Sequence, residues 1–348
     1  MRILLVIALM TLPAAGQRYS TSRVISGGHG TLQLLDSEAM RVTLAPERGG
    51  EISSIQVRFG GDWREIIWSA SIQEGWTGRA PWLWPATGRN FPRNVAPSED
   101  AAGSSYDYKG RRYPMPIHGF ARDMPWTVES FQSGAAGARA VLSLTDTPKT
   151  RAMYPFGWRV ELAYTLAGGE LEMEMRVRAS DQNRDEMFFS AGNHITFRVP
   201  LVEGSDPLQV TLQSPSTVEY VKQGFMPTGE KVSRSYGRPA PLKDLPVKQA
   251  VTLGGYRRGI WMALSDPAGL TVLLEHQPSA IPGEACLFNM WGDAAAGYFS
   301  PEPWVGLQNS LVSGDGLVRL NPGAEWTWRL KLSYLDLTRS RGRELPAR

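Results

Sequence analysis

The chain has 348 residues, of which 42% are hydrophobic and 20% are charged, so it is a folded protein and not a disordered one. Its formal net charge is only +3, and the basic residues are scattered along the chain, so no nucleic-acid partner is expected. The single cysteine, Cys286, excludes an internal disulfide, and its apolar neighbours predict a small core residue in a buried strand.

The first sixteen residues have the three-part pattern of a secretory signal peptide. Arg2 precedes an apolar run at residues 3–10, and small residues follow at 14–16. The run is shorter than the ~20 apolar residues that span a bilayer, and no later stretch is apolar enough to do so. We therefore expect residues 1–16 to be removed and the protein to be exported, to the periplasm or beyond the cell. The alternative is an uncleaved anchor or a buried strand.

Alternating apolar and polar residues predict many β-strands with one wet face. Between residues 170 and 178, for example, every odd position is apolar and every even position is charged. No segment after the signal has the periodicity of an amphipathic helix. The fold class is therefore predicted to be all-β, a single large antiparallel β-sandwich over residues 17–348. Its clearest strands are expected at residues 40–44, 141–144, 158–166, 170–178, 208–212 and 326–334.

Two polar segments between these strands predict long surface loops. Residues 96–110 are rich in small polar residues, and residues 222–248 are rich in glycine, proline and lysine. Long loops on a compact β-domain commonly shape a binding cleft. We therefore expect these two segments to border the functional site.

Three polar side chains lie in unusually apolar or glycine-rich segments. Arg89 ends a segment rich in proline and tryptophan, and its planar guanidinium is suited to bind sugar hydroxyls. His118 precedes Gly119, where the backbone can approach another group closely. His194 follows a Gly-Asn turn signal within an apolar strand. Each residue taken alone also fits a structural role, as a surface ion pair or a hydrogen-bonded core histidine.

A carboxylate stands in the fourth unusual segment. Glu302 lies between two prolines and beside Trp304, and because proline has no backbone N–H we expect an edge strand or a loop there. An indole beside the carboxylate partly desolvates it, which raises its pKa and its basicity. His276, at the end of another apolar run, is expected to be only a surface or packing residue. No spacing of His, Cys and carboxylates predicts a metal site, and no phosphate-binding loop is found.

These four segments, in this order, resemble the motifs of the aldose 1-epimerase (galactose mutarotase-like) family, and of its LacX-like branch in particular. The resemblance extends from about residue 43 to residue 323. It implies the large β-sandwich of that family and an isomerase that interconverts the α and β anomers of a free monosaccharide without metal or cofactor. The segment around His194 departs from the branch, which usually has Gly-Gly-His-Pro-Ala-Phe there.

The resemblance also implies a role for each residue. Glu302 would be the general base at the anomeric hydroxyl and His194 the general acid at the ring oxygen. Arg89 and His118 would hold the sugar hydroxyls and the ring oxygen. His118 would also be one of the catalytic residues. Trp304 and Trp291 would stack on the apolar face of the sugar.

Such chemistry is favoured by a histidine near its ordinary pKa of about 6.5 and a carboxyl whose pKa is raised by burial. Three alternatives remain open at this point. The chain could be a non-catalytic carbohydrate-binding protein on the same scaffold, which would not need an acid–base pair. It could also be a polysaccharide lyase-like enzyme, or a hexose-6-phosphate mutarotase, although export fits poorly with a phosphosugar substrate.

Overall fold

The protein is nearly all β-structure, and its sheets are antiparallel, as predicted. A computed structural model describes residues 7–10, 17–26, 29–70, 78–279, 281, 284–338 and 345. Within these residues the strands form sheets of six, nine and eight strands and two small two-stranded sheets. The helical elements are short: α1 (Pro148–Arg151), α2 (Ser310–Ser313) and three 3-10 turns.

The strands follow one another in chain order with few helical interruptions. They are β1 (Ile7–Met10), β2 (Tyr19–Ser26), β3 (His29–Asp36), β4 (Met40–Ala45), β5 (Glu51–Phe59), β6 (Asp62–Glu65), β7 (Trp82–Leu83), β8 (Ser105–Tyr108), β9 (Arg111–Pro114), β10 (Thr127–Gly134), β11 (Gly137–Thr145), β12 (Trp158–Ala167), β13 (Glu170–Ala179), β14 (Met187–Phe189), β15 (Ala191–Asn193), β16 (Phe197–Arg198), β17 (Thr211–Ser214), β18 (Val218–Gln223), β19 (Met226–Ser233), β20 (Tyr236–Pro241), β21 (Val251–Gly254), β22 (Trp261–Ser265), β23 (Leu270–Gln277), β24 (Cys286–Asp293), β25 (Tyr298–Val305), β26 (Val318–Leu320) and β27 (Glu325–Asp336).

The nine-stranded sheet, in the order β10-β11-β12-β13-β27-β23-β22-β17-β20, supplies much of the core. On β13 the side chains alternate between buried and less buried, in the phase that the sequence predicts. The neighbouring β27 buries Trp326 and Trp328 on the same face. Each fully buried large apolar side chain contributes about 1.5–3 kcal/mol, so this face is a main source of stability.

The N-terminal strands form the six-stranded sheet β1 to β6 in sequential order. Of the predicted signal peptide, only residues 7–10 are described, and they form β1, which pairs with β2. The remaining residues of this segment lie outside the described part of the chain, so its removal stays a prediction. No helix within the described residues is long and apolar enough to cross a membrane.

The eight-stranded sheet, β19-β18-β21-β24-β25-β15-β7 with β16 also paired to β25, carries the functional site. The prediction of a long loop at residues 222–248 was wrong. This segment contains β19, an outer strand of the eight-stranded sheet, and β20, an outer strand of the nine-stranded sheet. β19 is mostly exposed, and β20 has a mixed sequence that is only partly buried, so neither strand has a clear alternation. The prolines of both strands are tolerated because both strands are at sheet edges.

Three other local predictions need correction. Residues 208–212 do not form one strand, because Pro207 opens a 3-10 turn in which the Leu208 N–H donates to the Asp206 side chain. The strand begins only at Thr211. The predicted loop at 96–110 ends early, since residues 105–108 form β8. Cys286 lies in a strand as predicted, but it is only half-buried, and burial raises the pKa of its thiol.

Candidate active site

Two neighbouring strands, β24 and β25, place a carboxylate and its partners on one face of the sheet. Their antiparallel register sets Asn289 opposite Glu302. Because alternate residues of a strand share a face, Trp304 points to the same side as Glu302, and Trp291 to the same side as Asn289. All four side chains line one pocket.

Glu302 does not lie on an edge strand or in a loop, contrary to the prediction from its flanking prolines. β25 pairs with β24 on one side and with both β15 and β16 on the other. On that second side β16 pairs with residues 298–299 and β15 with residues 304–305, which leaves a gap between them. Pro301 and Pro303 fall in this gap, so their missing N–H groups cost no ladder hydrogen bond there.

The Glu302 carboxylate is completely buried, and each of its oxygens accepts a hydrogen bond. Asn289 Nδ2 donates to Oε1 at 3.1 Å, and Trp304 Nε1 donates to Oε2 at 3.1 Å. Burial raises the pKa of this carboxyl well above its usual value, while the Asn289 and Trp304 hydrogen bonds and the charge of Lys222 oppose the rise. The buried Trp304 therefore holds the Glu302 carboxylate through its indole N–H.

His194 lies beside this carboxylate, with its Nε2 3.4 Å from Glu302 Oε1. It follows β15, and its backbone N–H donates to the carbonyl of Pro81. The Gly-Asn pair before it is not a turn, because both residues belong to β15 and pair with neighbouring strands. Gly192 is needed there because a Cβ would come within 2.8 Å of the Trp304 ring.

The pKa of His194 differs from the expected value. Burial lowers it to about 3, so the ring is uncharged near neutral pH, whereas the sequence suggested a histidine near 6.5. The reason is that the sheet, the neighbouring rings and the pocket wall remove water from the imidazole, which penalises its cationic form. The sequence shows the apolar neighbours of His194 but not how completely they enclose it.

His118 occupies a left-handed backbone conformation, with a φ of 66°. Its backbone N–H donates to the Gly88 carbonyl at 2.8 Å, and its Nδ1 accepts from the Gly88 N–H at 3.0 Å. Because Nδ1 is an acceptor, the neutral ring carries its proton on Nε2. The ring lies perpendicular to that of His194, with 5.4 Å between centroids, and burial lowers its pKa well below the usual value.

The remaining predicted residues border the same space. Arg89 donates from Nε to the carbonyl of Glu99 at 3.0 Å, and its guanidinium lies 4.5 Å from the centre of the Phe225 ring. Trp291 is half-buried and packs on Tyr298 at 5.3 Å between ring centroids. The structure thus brings all six predicted residues together around one pocket of about 670 Å³. They are Arg89, His118, His194, Trp291, Glu302 and Trp304.

The sequence model of one known family, described as aldose 1-epimerase, matches residues 31–333. The chain belongs to the aldose 1-epimerase family. The matched region includes every residue that lines the pocket, from Arg89 to Gln308. Family membership is therefore consistent with a functional site in this pocket.

A curated relative and several solved structures are similar to this aldose 1-epimerase family member. An Escherichia coli (strain K12) protein, provisionally assigned as a glucose-6-phosphate 1-epimerase, is 27% identical over 81 residues, which cover 23% of this chain and 27% of that protein. The chain thus matches only about a quarter of that relative's length.

Three solved structures share the fold over almost their whole length. A galactose mutarotase-like protein from Clostridium acetobutylicum has a TM-score of 0.75 and 17% identity, covering 92% of this chain and 99% of that one. A galactose mutarotase related enzyme from Lactobacillus acidophilus has a TM-score of 0.71 and 22% identity, covering 88% and 98%. A galactose 1-epimerase from Lactobacillus acidophilus NCFM has a TM-score of 0.65 and 12% identity, covering 96% and 99%.

Two residues of this pocket were missed by the sequence reasoning. Asn289 binds the carboxylate, and Lys222 donates from Nζ to Asn289 Oδ1 at 3.2 Å. An amide within the apolar strand β24 is a signal that could have drawn attention to Asn289. Lys222 had no such signal, because it lies in the segment that was predicted to be a loop. Four cationic side chains and two carboxylates line the pocket: Arg89, Arg122, Lys222, Lys248, Glu99 and Glu302.

Proposed function

We propose that the protein is an aldose 1-epimerase that interconverts the α and β anomers of an aldose by general acid–base ring opening. The observation that carries the proposal is the direct pairing of Glu302 with His194 inside a pocket of sugar-binding size. A carbohydrate-binding protein without catalysis would not need a buried carboxylate next to a buried imidazole, because burying such groups is costly.

The reaction needs one base and one acid at neighbouring atoms. Glu302 takes the proton from the O1 hydroxyl, the C1–O5 bond breaks as O1 becomes a carbonyl oxygen, and O5 receives a proton from His194. Rotation about C1–C2 and the reverse transfers close the ring on the other face. O1 and O5 are both bonded to C1, so two proton carriers that lie side by side can serve both atoms. Each positioned proton transfer typically contributes about 10²–10⁴-fold.

The pocket also supports binding. The Nε2–H of His118 is the free donor of a ring whose Nδ1 is already engaged, so it is suited to an oxygen of the sugar. Arg89, which also lines the pocket, offers further N–H groups. The half-buried ring of Trp291 is suited to pack on the apolar face of a pyranose.

Polarimetry of freshly dissolved α-glucose and α-galactose tests this function. With purified protein the optical rotation should reach equilibrium much faster than with buffer alone, and heat-inactivated protein should have no effect. A protein that binds these sugars by calorimetry but never accelerates the approach to equilibrium would be a carbohydrate-binding protein instead.

A second candidate substrate class is a sugar that carries a negative charge, such as a hexose 6-phosphate. Four cationic side chains face only two carboxylates in the pocket, which favours an anionic ligand. Anomer exchange of glucose 6-phosphate and glucose can be compared by NMR at low and high salt. A phosphosugar enzyme should have the higher kcat/KM for the phosphate, and this advantage should shrink with added salt. Equal values for the two sugars would exclude this candidate.

We further propose that the protein is exported and that residues 1–16 act as its signal peptide. The pattern of Arg2, the apolar run and the small residues supports this proposal. The mature protein should begin near Gly16 or Gln17, which N-terminal sequencing of the exported protein would establish. Recovery of exported protein that still begins with Met1 would contradict it.

A further inference from the structure

We infer that Lys222 is a positioning residue for the general base, acting on Glu302 through the amide of Asn289. The inference rests on the proposed function, since it assigns a role within the same site. The observation is a continuous chain of hydrogen bonds between side chains of β18, β24 and β25, with β21 between the first two strands.

Hydrogen bonds to its oxygen fix the orientation of the Asn289 amide. Its Oδ1 receives hydrogen bonds from Lys222 Nζ at 3.2 Å and from Thr252 Oγ1 at 2.9 Å. An ammonium can only donate, so it fixes the oxygen of the amide on its side and leaves Nδ2 facing Glu302. A rotated amide would present an acceptor to the carboxylate, and the hydrogen bond to Glu302 Oε1 would be lost.

The positive charge of Lys222 also acts on Glu302. Lys222 is held in place by a further hydrogen bond from Nζ to the carbonyl of Ala250 at 3.1 Å. Its ammonium lies near Glu302 and favours the ionised carboxylate, which opposes the burial that raises the carboxyl pKa. Lys222 therefore serves the base in two ways, by directing the donor amide and by stabilising the negative charge.

The role of Lys222 should depend on pH. Burial lowers the pKa of Lys222 to about 8, while the charges of Glu302 and Glu219 oppose this shift. The ammonium charge is therefore present below pH 8 and is lost above it. His118 and His194 have lowered pKa values and do not titrate in this range. The wild-type kcat should therefore decline as the pH rises through about 8. The other charged side chains that line the pocket are Arg89, Glu99, Arg122 and Lys248.

The test compares Lys222→Met, Lys222→Arg and a matched control, Lys231→Met, for anomer exchange by NMR over a range of pH. Lys231 lies on the adjacent strand β19, is exposed, and contacts the ring of Tyr220 and not the base. We expect Lys222→Met to lower kcat about 10- to 100-fold, the scale of a lost charge-assisted hydrogen bond. Its KM for an uncharged sugar should change by less than about threefold, because toward such a sugar Lys222 acts through Asn289 on the base.

The pH profile separates this role from a purely structural one. Lys222→Met should lose the alkaline decline, and its acidic limb should move to higher pH because the carboxyl loses a stabilising charge. Lys222→Arg should recover most of the kcat near pH 7 and keep it well above pH 8, since a guanidinium stays charged.

The inference is overturned if Lys222→Met retains the wild-type kcat and pH profile, if its loss appears only in KM, or if Lys231→Met loses as much. Thermal melting of each variant, with Lys222→Arg as the conservative comparison, detects a variant that is only misfolded. A wild type that exchanges no anomers would instead overturn the proposed function, and this inference with it.

Discussion

Replacement of Glu302 by Gln removes the proposed base while changing the shape of the side chain very little. The carboxylate now accepts from Asn289 on one oxygen and from Trp304 on the other. Gln has a single oxygen, so one of the two buried donors loses its acceptor, which costs about 1–3 kcal/mol. The neutral amide also avoids the desolvation of a buried charge. The two effects oppose each other, so the folded state should persist.

The effect on the rate should be much larger than the effect on stability. Loss of a positioned base lowers the rate by roughly 10²-fold or more, which corresponds to about 2.7 kcal/mol of activation free energy. Sugar affinity should fall much less, because Arg89 and His118 are unchanged. Anomer exchange by NMR and binding by calorimetry, on the same preparation, separate the two quantities. A Glu302→Gln variant that exchanged anomers at the wild-type rate would refute the assignment of the base.

Three further predictions concern other parts of the site and the core. His194→Ala should also lower the exchange rate, and NMR of the double variant with Glu302→Gln should show much less than the product of the two losses, because acid and base act as one unit. Gly119→Ala should lower the free energy of unfolding by about 3 kcal/mol or more in urea titrations, because a Cβ at this positive φ would overlap the Trp84 carbonyl. The control is Gly110→Ala. Gly110 has a similar φ but open space around it, so this variant should lose only about 1 kcal/mol. The pKa of the buried His276 is lowered to about 3, so the unfolded chain gains a proton below about pH 6.5 that the folded protein does not, and stability falls as the pH drops. Between pH 7 and pH 5 the free energy of unfolding should therefore fall by about 2 kcal/mol less in His276→Gln than in the wild type. Urea unfolding at both pH values measures this difference, and equal decreases in the two proteins would contradict it.

The fold was largely predictable because the period-2 pattern records which face of a strand is buried. On β13 the alternation is strict, and the buried face follows it residue by residue. The pattern fails for β19, whose exposed residues are held by backbone pairing at a sheet edge. A strand that buries little leaves no hydrophobic signature, so the sequence reads as a loop.

Six side chains that line the pocket could be selected by residue type, but Asn289, Lys222 and the arrangement of the site could not be predicted. Arg89, His118, His194 and Glu302 are far apart in the chain, and only the pairing of β7, β15 and β25 brings their segments together. The Pro-Glu-Pro segment illustrates the limit most clearly. Its chemistry rules out continuous pairing on both sides, but only the register shows that a gap between two short strands accommodates it in the interior of the sheet.

The opposite pKa shifts of Glu302 and His194 have a consequence for catalysis. Burial raises the pKa of the Glu302 carboxyl and lowers the pKa of the His194 imidazole, so the surroundings of each group favour its uncharged form. The proposed ring opening requires an ionised carboxylate at O1 and a protonated imidazole at O5, so a proton must lie on His194 and not on Glu302. The hydrogen bonds from Asn289 and Trp304 and the charge of Lys222 all favour the carboxylate, which reduces the free energy needed for this proton shift. A sugar whose hydroxyls add further donors to Glu302 would complete the shift, so the substrate itself would help to create the active protonation state.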